Sequence, residues 1–318
     1  MTSRSEAPAQ GLQYYLDLGL LVLRGTGKWL GTFARRQPLG FLGLCILVIV
    51  CIIAVFGQQF ANLLAPEQAK SNPNLPPWLS INPRSLFQSP EWYKGYILGA
   101  DEFGRDNLSR ILVGTRASIT VAISAVAIGS SLGFVIGLVA GYYADWRDAV
   151  LSRLVDMKMA IPTIVLALVI VAVLGQSQRN VIIAIALIQV SGMAHIVRSV
   201  VLSTRTMEFV QAARALGASD LRIIWRHIAP QTFAPVLILI TAALGLAIII
   251  ESSLSFLGLG TPPPNPAWGA MLSGAAIQNV ERAPWNAVFP GLALTFTVFS
   301  FNLLGDALRD TLDPRLRA

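Results

Sequence analysis

The chain has 318 residues, 54% of them hydrophobic and only 13% charged, with a mean hydropathy of +0.61. A soluble domain carries roughly 25% charged residues, so this composition excludes a water-covered globule and points to an integral membrane protein. The formal net charge of +7 would suggest nucleic acid in a soluble chain; here basic loops that orient a membrane protein account for it, and no nucleic-acid partner is expected.

Residues 1–38 form a mixed N-terminal segment. It is too long and too mixed for a cleavable signal, because the first long apolar run starts only near Leu39. Within it, Leu16, Leu20, Leu23 and Leu30 recur at roughly helical spacing, so Gly11–Thr32 reads either as a surface helix or as an irregular tail. Gly25-Thr26-Gly27-Lys28 looks briefly like a phosphate loop. The pattern needs a glycine five residues before the Gly-Lys pair and a hydroxyl after the lysine, where this chain has Val22 and Trp29. No nucleotide-binding loop of this kind is therefore expected in the chain.

A bilayer crossing needs roughly 17–25 apolar residues, and six runs qualify. They are Leu39–Phe56, about Ala117–Tyr142, about Met159–Leu174 (short unless it starts near Val155), Val181–Val201, about Pro235–Leu257 and about Ala287–Leu304. Cys45 and Cys51 lie six apart in the first run. They do not share a helix face, so they read as packing residues and not as a disulfide. The loop between the first two runs is long, polar and proline-rich, with Pro83 and Pro90, and should be irregular. Lys and Arg cluster before the first run (Arg4, Arg24, Lys28, Arg35, Arg36), between the second and third (Arg147, Arg153, Lys158), between the fourth and fifth (Arg205, Arg214, Arg222, Arg226) and after the sixth (Arg309, Arg315, Arg317). The short alternate loops hold only Arg179 and Arg282. Both termini are thus expected in the cytoplasm.

Residues Glu208–Gln231 interrupt the apolar runs with a charged segment. Phe209, Ala212, Ala213 and Leu216 follow helical spacing, Gly217 can take φ > 0 and end that helix, and Ser219 or Asp220 offers an N-cap oxygen. Leu221, Ile224, Trp225 and Ile228 then share a second helical face, and Pro230 marks the entry to the next span. Three arginines, Arg214, Arg222 and Arg226, with Arg205 just before them, make this helix–glycine–helix elbow too polar to cross lipid. It either lies in the headgroup layer or docks into a groove of a soluble partner.

Other side chains leave alternatives open. Gly129, Gly133, Gly137 and Gly141 form a smooth strip that favours packing within this subunit, and could also serve a partner subunit or the pathway. Glu251 lies inside the fifth run. A carboxylate there costs at least about 2.5 kcal/mol and belongs either to the translocation path or to a structural hydrogen-bond network near the outer end. Asp101, Glu102, Arg105 and Asp106, with Arg110 and Arg116, read as a solvated helix entry with internal pairs, or as a contact surface for a partner. Asp145, Arg147, Asp148 and Asp156, and later Asp306, Arg309 and Asp310, should anchor helix ends or rim a contact with a partner. The two histidines, His195 and His227, are not part of a Cys/His cluster, so no metal site is expected; neither His195 nor Ser191 is expected to have a nearby acid or base, which leaves a Ser/His hydrolase arrangement without support.

The elbow resembles the EAA motif of bacterial ABC importer permeases: Gln211-Ala212-Ala213, then Gly217, then His227-Ile228-Ala229-Pro230, with Gln211, His227 and Ala229 departing from the usual Glu, Ile and Leu. "LGADEFGRDNLSRILVGTRASI" (98–119), "AGYYADWRDAVLSRLVDMKMAIPT" (140–163), "SFLGLGTPPPNPAWGAML" (255–272) and "FNLLGDALRDTLDPR" (301–315) extend the resemblance to nearly everything from Leu39 onward. Together they look like the C-type permease subunit of dipeptide/oligopeptide (peptide/nickel) ABC importers. The resemblance implies an all-α membrane protein with six transmembrane helices and a cytoplasmic coupling helix near 203–230. Its divisions are 1–38 cytoplasmic, 39–60 first helix, 61–115 extracytoplasmic loop, 116–306 five-helix core and 307–318 cytoplasmic tail. It implies that Glu208, Gln211, Ala212, Ala213, Gly217, Ala218, Asp220 and Arg222 meet the ATPase, and it places a glutamate like Glu251 at the matching position. Gln211 lacks the carboxylate for an ion pair there. The implied partners are a B-type permease, one fused or two separate ATP-binding subunits that hold ATP and Mg, an extracytoplasmic solute-binding protein and the bilayer of the bacterial inner membrane; the chain itself holds no cofactor and is not an enzyme. Di- or oligopeptides are the expected cargo, with nickel chelates or glutathione as alternatives. An ion-driven secondary transporter is the competing class; one embedded carboxylate and no visible inverted repeat speak against it.

Overall fold

The computed structural model describes residues 31, 33–64, 97–262 and 264–312. The surface helix expected over 11–32, the prolines Pro83 and Pro90 and the last six residues fall outside the described residues, apart from residue 31. The described chain is helical; its one β feature is an isolated antiparallel bridge between Ala100 and Asp106.

Helix α1 (Pro38–Leu64) starts at a proline, whose missing N–H is harmless in a first turn. Helix α2 (Asn107–Tyr143) begins ten residues before the expected start near 117. The reason is local: Asp106 accepts a hydrogen bond from the Ser109 amide at 2.7 Å, and the polar first turns are satisfied by their neighbours. Asn107 Nδ2 donates to Asn286 Oδ1 at 2.8 Å and to the Leu98 carbonyl at 3.2 Å. At about 1.5 Å per residue this helix outruns the hydrocarbon layer, so these turns stand outside it.

The third run is not one straight helix. Helix α3 (Trp146–Met159) and helix α4 (Thr163–Leu174) meet at a 91° bend. Pro162 supplies the break, since it lacks an amide hydrogen and disfavours helical backbone at Ile161. Helix α5 (Gln178–Thr204) follows, then the short α6 (Glu208–Ala215). Helix α7 (Asp220–Phe256) is continuous through a π-turn at Ile224–Ile228 and a 3₁₀ turn at Ala229–Thr232. The second half of the elbow is therefore the first turns of the fifth span and not a separate helix. The switch from π to 3₁₀ pairing absorbs Pro230 without ending the helix. Short helices α8 (Trp268–Met271) and α9 (Ala275–Gln278) precede α10 (Trp285–Leu312).

The packing fixes the direction of each crossing. Gly129, Gly133, Gly137 and Gly141 of α2 face the carbonyls of Ala186, Val190, Ala194 and Arg198 of α5, where an added Cβ would sit 2.4, 2.4, 2.7 and 2.9 Å from the oxygens. Both series rise together in steps of four, so α2 and α5 run parallel in close contact, and the glycine strip serves packing within this subunit. Two parallel helices need a return crossing between them, and the bent α3–α4 pair is that return. Five helices are individually long and apolar enough to cross a membrane, and the bent pair makes six crossings. Gly40 abuts Ala307, and Gln37 Nε2 reaches Asp310 Oδ2 at 3.3 Å. Both ends of the described chain thus lie at the same end of the bundle as the elbow.

A large apolar core joins α1, α2, α4, α5, α7 and α10. A second cluster, at the elbow end, sets Val210, Ile223, Ile224 and Ile228 against Leu138, Tyr142, Met193, Val197 and Val201. At the far end Trp268 is buried and its Nε1 donates to the Ile111 carbonyl at 3.1 Å, fastening the loop before α10 over α2.

Candidate functional site: the elbow

The turn at Gly217 is a hydrogen-bonded helix stop. Gly217 has φ +78°, its amide donates to Arg214 O at 3.0 Å, and the Ala218 amide donates to Ala213 O at 3.1 Å. These two bonds, with small Ala213 and Ala218 packed together against the second cluster, form a Schellman stop that only a residue tolerant of positive φ enters without strain. The expected cap oxygens behave differently. Ser219 holds the N-cap position of α7 without a side-chain hydrogen bond, and Asp220 is engaged elsewhere.

That engagement centres on Tyr142, at the inner end of α2. Its hydroxyl donates to Asp220 Oδ1 at 2.6 Å and accepts from Arg214 Nη2 at 3.3 Å. Its carbonyl accepts from Arg205 Nη1 at 3.1 Å. One tyrosine thus ties α6, the start of α7 and the end of α5 to α2. Tyr142, Tyr143, Arg205, Thr206, Gln211, Arg214 and Asp220 surround an open groove of ≈ 690 Å³. The Gln211 amide donates to the Thr206 carbonyl at 3.0 Å, a bond that a carboxylate at this position could not make.

The helical stripes read from spacing divide between two faces. Val210 with Ala213, and Ile223, Ile224 and Ile228, anchor the elbow in the bundle. Phe209, Leu216 and Leu221 instead point outward, 41%, 88% and 67% exposed, beside exposed Glu208, Ala212 and Arg222. Trp225 is also mostly exposed, with its ring 6.4 Å from Phe134. Spacing alone could not separate an anchoring apolar face from a presented one.

Neighbouring charges stiffen this end. Asp148 of α3 pairs with Arg198 of α5 through both oxygens, at 2.6 and 2.7 Å, and accepts from Ser152 Oγ at 2.8 Å. Asp145 caps α3 by accepting from the Arg147 amide at 2.9 Å, and the Arg147 guanidinium lies over the Tyr143 ring. His195 does have an acid beside it after all: Asp156 Oδ1 lies 3.2 Å from its Nε2, because the antiparallel packing of α3 on α5 brings together residues distant in sequence.

Glu251 is 1% exposed and sits inside this subunit's own bundle. It accepts hydrogen bonds from Ser118 of α2 (3.0 Å), Ser252 (3.4 Å) and Ser255 (2.7 Å). Gly260 and Gly269 press on Ser255 and Ser252 so closely that a Cβ at either would collide. Of the two roles open to Glu251, this is the geometry of the structural one, a carboxylate that joins α2, α7 and the outer loop. Asp101 likewise serves its own turn, accepting from the Phe103 and Arg105 amides and pairing with Arg105 Nε at 2.7 Å and Arg110 Nε at 3.6 Å.

The model of the family described as binding-protein-dependent transport system inner membrane component matches residues 133–318, which include the elbow. The chain is 39% identical over 287 residues to the dipeptide transport system permease protein DppC of Alkalihalophilus pseudofirmus, spanning 89% of this chain and 88% of that protein. It is 44% identical over 286 residues to the glutathione transport system permease protein GsiD of Pectobacterium atrosepticum, spanning 90% of each. It is 41% identical over 283 residues to GsiD of Escherichia coli, spanning 89% and 88%. A helical bundle with six crossings, an elbow anchored on one face and presented on the other, and a match over nearly the whole chain converge: this chain belongs to the family of binding-protein-dependent transport system inner membrane components, the membrane-spanning permeases of ABC transporters.

Proposed function

We propose that the elbow seats an ATP-binding subunit and passes its motion to α7, in an importer that moves small peptides across the inner membrane. The observation that carries this reading is the two-sidedness of the elbow. Val210, Ile223, Ile224 and Ile228 lock it to the bundle, while Phe209, Leu216 and Leu221 stay exposed among Glu208, Arg214 and Arg222. Exposed apolar anchors within a polar rim fit a protein groove. Because α7 runs unbroken from the elbow into the bilayer, a push at Leu216 or Leu221 acts directly on a spanning helix. The elbow end and both termini are assigned to the cytoplasm by the basic loops. A homologous permease completes the channel, and an extracytoplasmic binding protein delivers cargo at the far end.

Peptide cargo is supported by likeness to a dipeptide permease; likeness to glutathione permeases supports a short peptide of another kind. The test uses the whole transporter in proteoliposomes with its binding protein. ATP-driven uptake of Ala-Ala or of glutathione is expected, and uptake driven by an ion gradient without ATP would refute the reading. Leu216→Asp should leave the permease folded, because that side chain touches little, yet abolish co-purification with the ATP-binding subunits. Normal co-purification of that variant would remove the elbow from the contact.

A further inference from the structure

Building on the importer reading, we propose that the bend between α3 and α4 lines the solute pathway and that Lys158 is a specificity-determining cation, which receives an anionic group of the cargo such as a peptide carboxylate.

Depth comes first. The Lys158 ammonium donates to the carbonyl of Ile188 on α5. Ile188 lies ten residues from the start of α5 at Gln178 and sixteen from its end at Thr204. At a rise of about 1.5 Å per residue, that is about 15 Å from one end and 24 Å from the other. A bilayer core is about 30 Å thick, so Lys158 and the adjoining break at Ala160–Pro162 sit well inside it.

Among the described residues the break is left uncovered, and Lys158 is only half-buried. Residues 159–164 are exposed at every position, and Arg153 and Asp156, on the turns before, are exposed as well. On α5 the facing side is open too: a Cβ at Gly192 would meet nothing within 4 Å, and His195 is 37% exposed beside Asp156. Irregular backbone and charged side chains do not face hydrocarbon at this depth, because lipid offers no hydrogen-bond partner; they lie against protein or line water. The elbow end of α3 is held rigidly by Asp148 and Arg198, so α3 cannot swing outward to bring these groups to the surface.

The chemistry at the bend is that of an anion receiver. An ammonium has three N–H donors, and Ile188 takes one. Asp156 is turned to His195, and among the described residues no carboxylate comes within ion-pair distance of Lys158 Nζ. Two donors of a cation thus remain for water or for a passing carboxylate.

The test again uses the complete transporter with its binding protein. In a Cys45→Ser, Cys51→Ser background, Lys158→Cys should react with a charged methanethiosulfonate at least 10-fold faster than Cys51, an exposed thiol near the middle of α1, does in a Cys45→Ser variant. Its rate should also change between nucleotide-free and ATP-bound states. Reaction no faster than that of Cys51 in every state, or cross-linking to the companion permease with no solvent access, would overturn the proposal. Uptake gives an independent reading: Lys158→Gln should lower transport of Ala-Ala at least 10-fold while ATP-binding subunits still co-purify, with Lys158→Arg recovering most of it. Wild-type uptake by Lys158→Gln would refute the assignment of Lys158 alone. A wild-type transporter that moves neither Ala-Ala nor glutathione would instead refute the importer reading beneath it.

Discussion

Gly217 allows the elbow to be tested by conformation alone. Its φ is +78°, and a Cβ placed on it would meet no atom within 4 Å. Substitution therefore introduces no clash and removes no contact; the cost is that of holding a side-chain-bearing residue in the left-handed region. That cost is roughly 1–2 kcal/mol for alanine, partly offset by about 0.4–1 kcal/mol because alanine also restricts the unfolded chain. Asparagine enters the same region more readily, and valine, branched at Cβ, enters it least. A difference of one or two kcal/mol shifts an equilibrium by roughly 5- to 30-fold, here between the bent elbow and one whose bonds to Arg214 O and Ala213 O have opened. Expected transport and recovery of the ATP-binding subunits therefore fall in the order Gly, Asn, Ala, Val. Uptake into proteoliposomes and quantitative co-purification read the two properties separately, and the bundle itself should keep its melting behaviour in detergent. Equal coupling in all three variants, or an asparagine variant as damaged as the valine one, would refute the reasoning.

Three further outcomes are expected. Gly133→Val places a Cβ about where Val190 O and the Met193 side chain already sit, so α2 and α5 must part; loss of folded protein in detergent is expected, and a stable variant would contradict the packing. Glu251→Ala leaves buried hydroxyls of Ser118 and Ser255 without their acceptor, at a cost of about 1–3 kcal/mol each. The thermal midpoint of the assembled transporter should fall, and lost uptake with an unchanged midpoint would return Glu251 to the pathway. Glu102, outside the bilayer, has its carboxyl pushed above its ordinary value of 4.5 by burial and by the nearby Asp101 charge. Its protonated form is the one the fold favours, so its contribution is present below pH 4.5 and lost as pH rises through the folded-state value. Glu102→Gln should match wild type at the acid end and be the more stable of the two at neutral pH; a variant less stable at neutral pH would reverse the sign.

Much of this architecture is legible in the order of residues, because lipid imposes one requirement on every crossing: backbone groups must pair within the segment while side chains remain apolar. That requirement marked six crossings at Leu39, Ala117, Met159, Val181, Pro235 and Ala287, and excluded the arginine-rich elbow from them. The glycine period of four was readable as a close helix contact, and Gly217 as a turn of positive φ, since both depend on a local property of glycine. The EAA-like spacing located the elbow for the same reason.

What lay beyond reach depended on which side of a helix meets which neighbour. Val210 and Phe209 are equally apolar and adjacent, yet one is buried under α2 and α5 and the other is presented. Glu251 could be weighed as a path or a structural residue, but its partners could not be read, because Ser118 reaches its carboxylate from a helix more than a hundred residues away. Tyr142 gave no signal as the hub of the elbow, His195 met Asp156 only through antiparallel packing, and Lys158 looked like one more basic loop residue until the bend at Pro162 carried it to the depth of Ile188. Period and polarity along a chain are set by local chemistry; burial, partnership and depth arise when separate helices pack, and those are decided only in three dimensions.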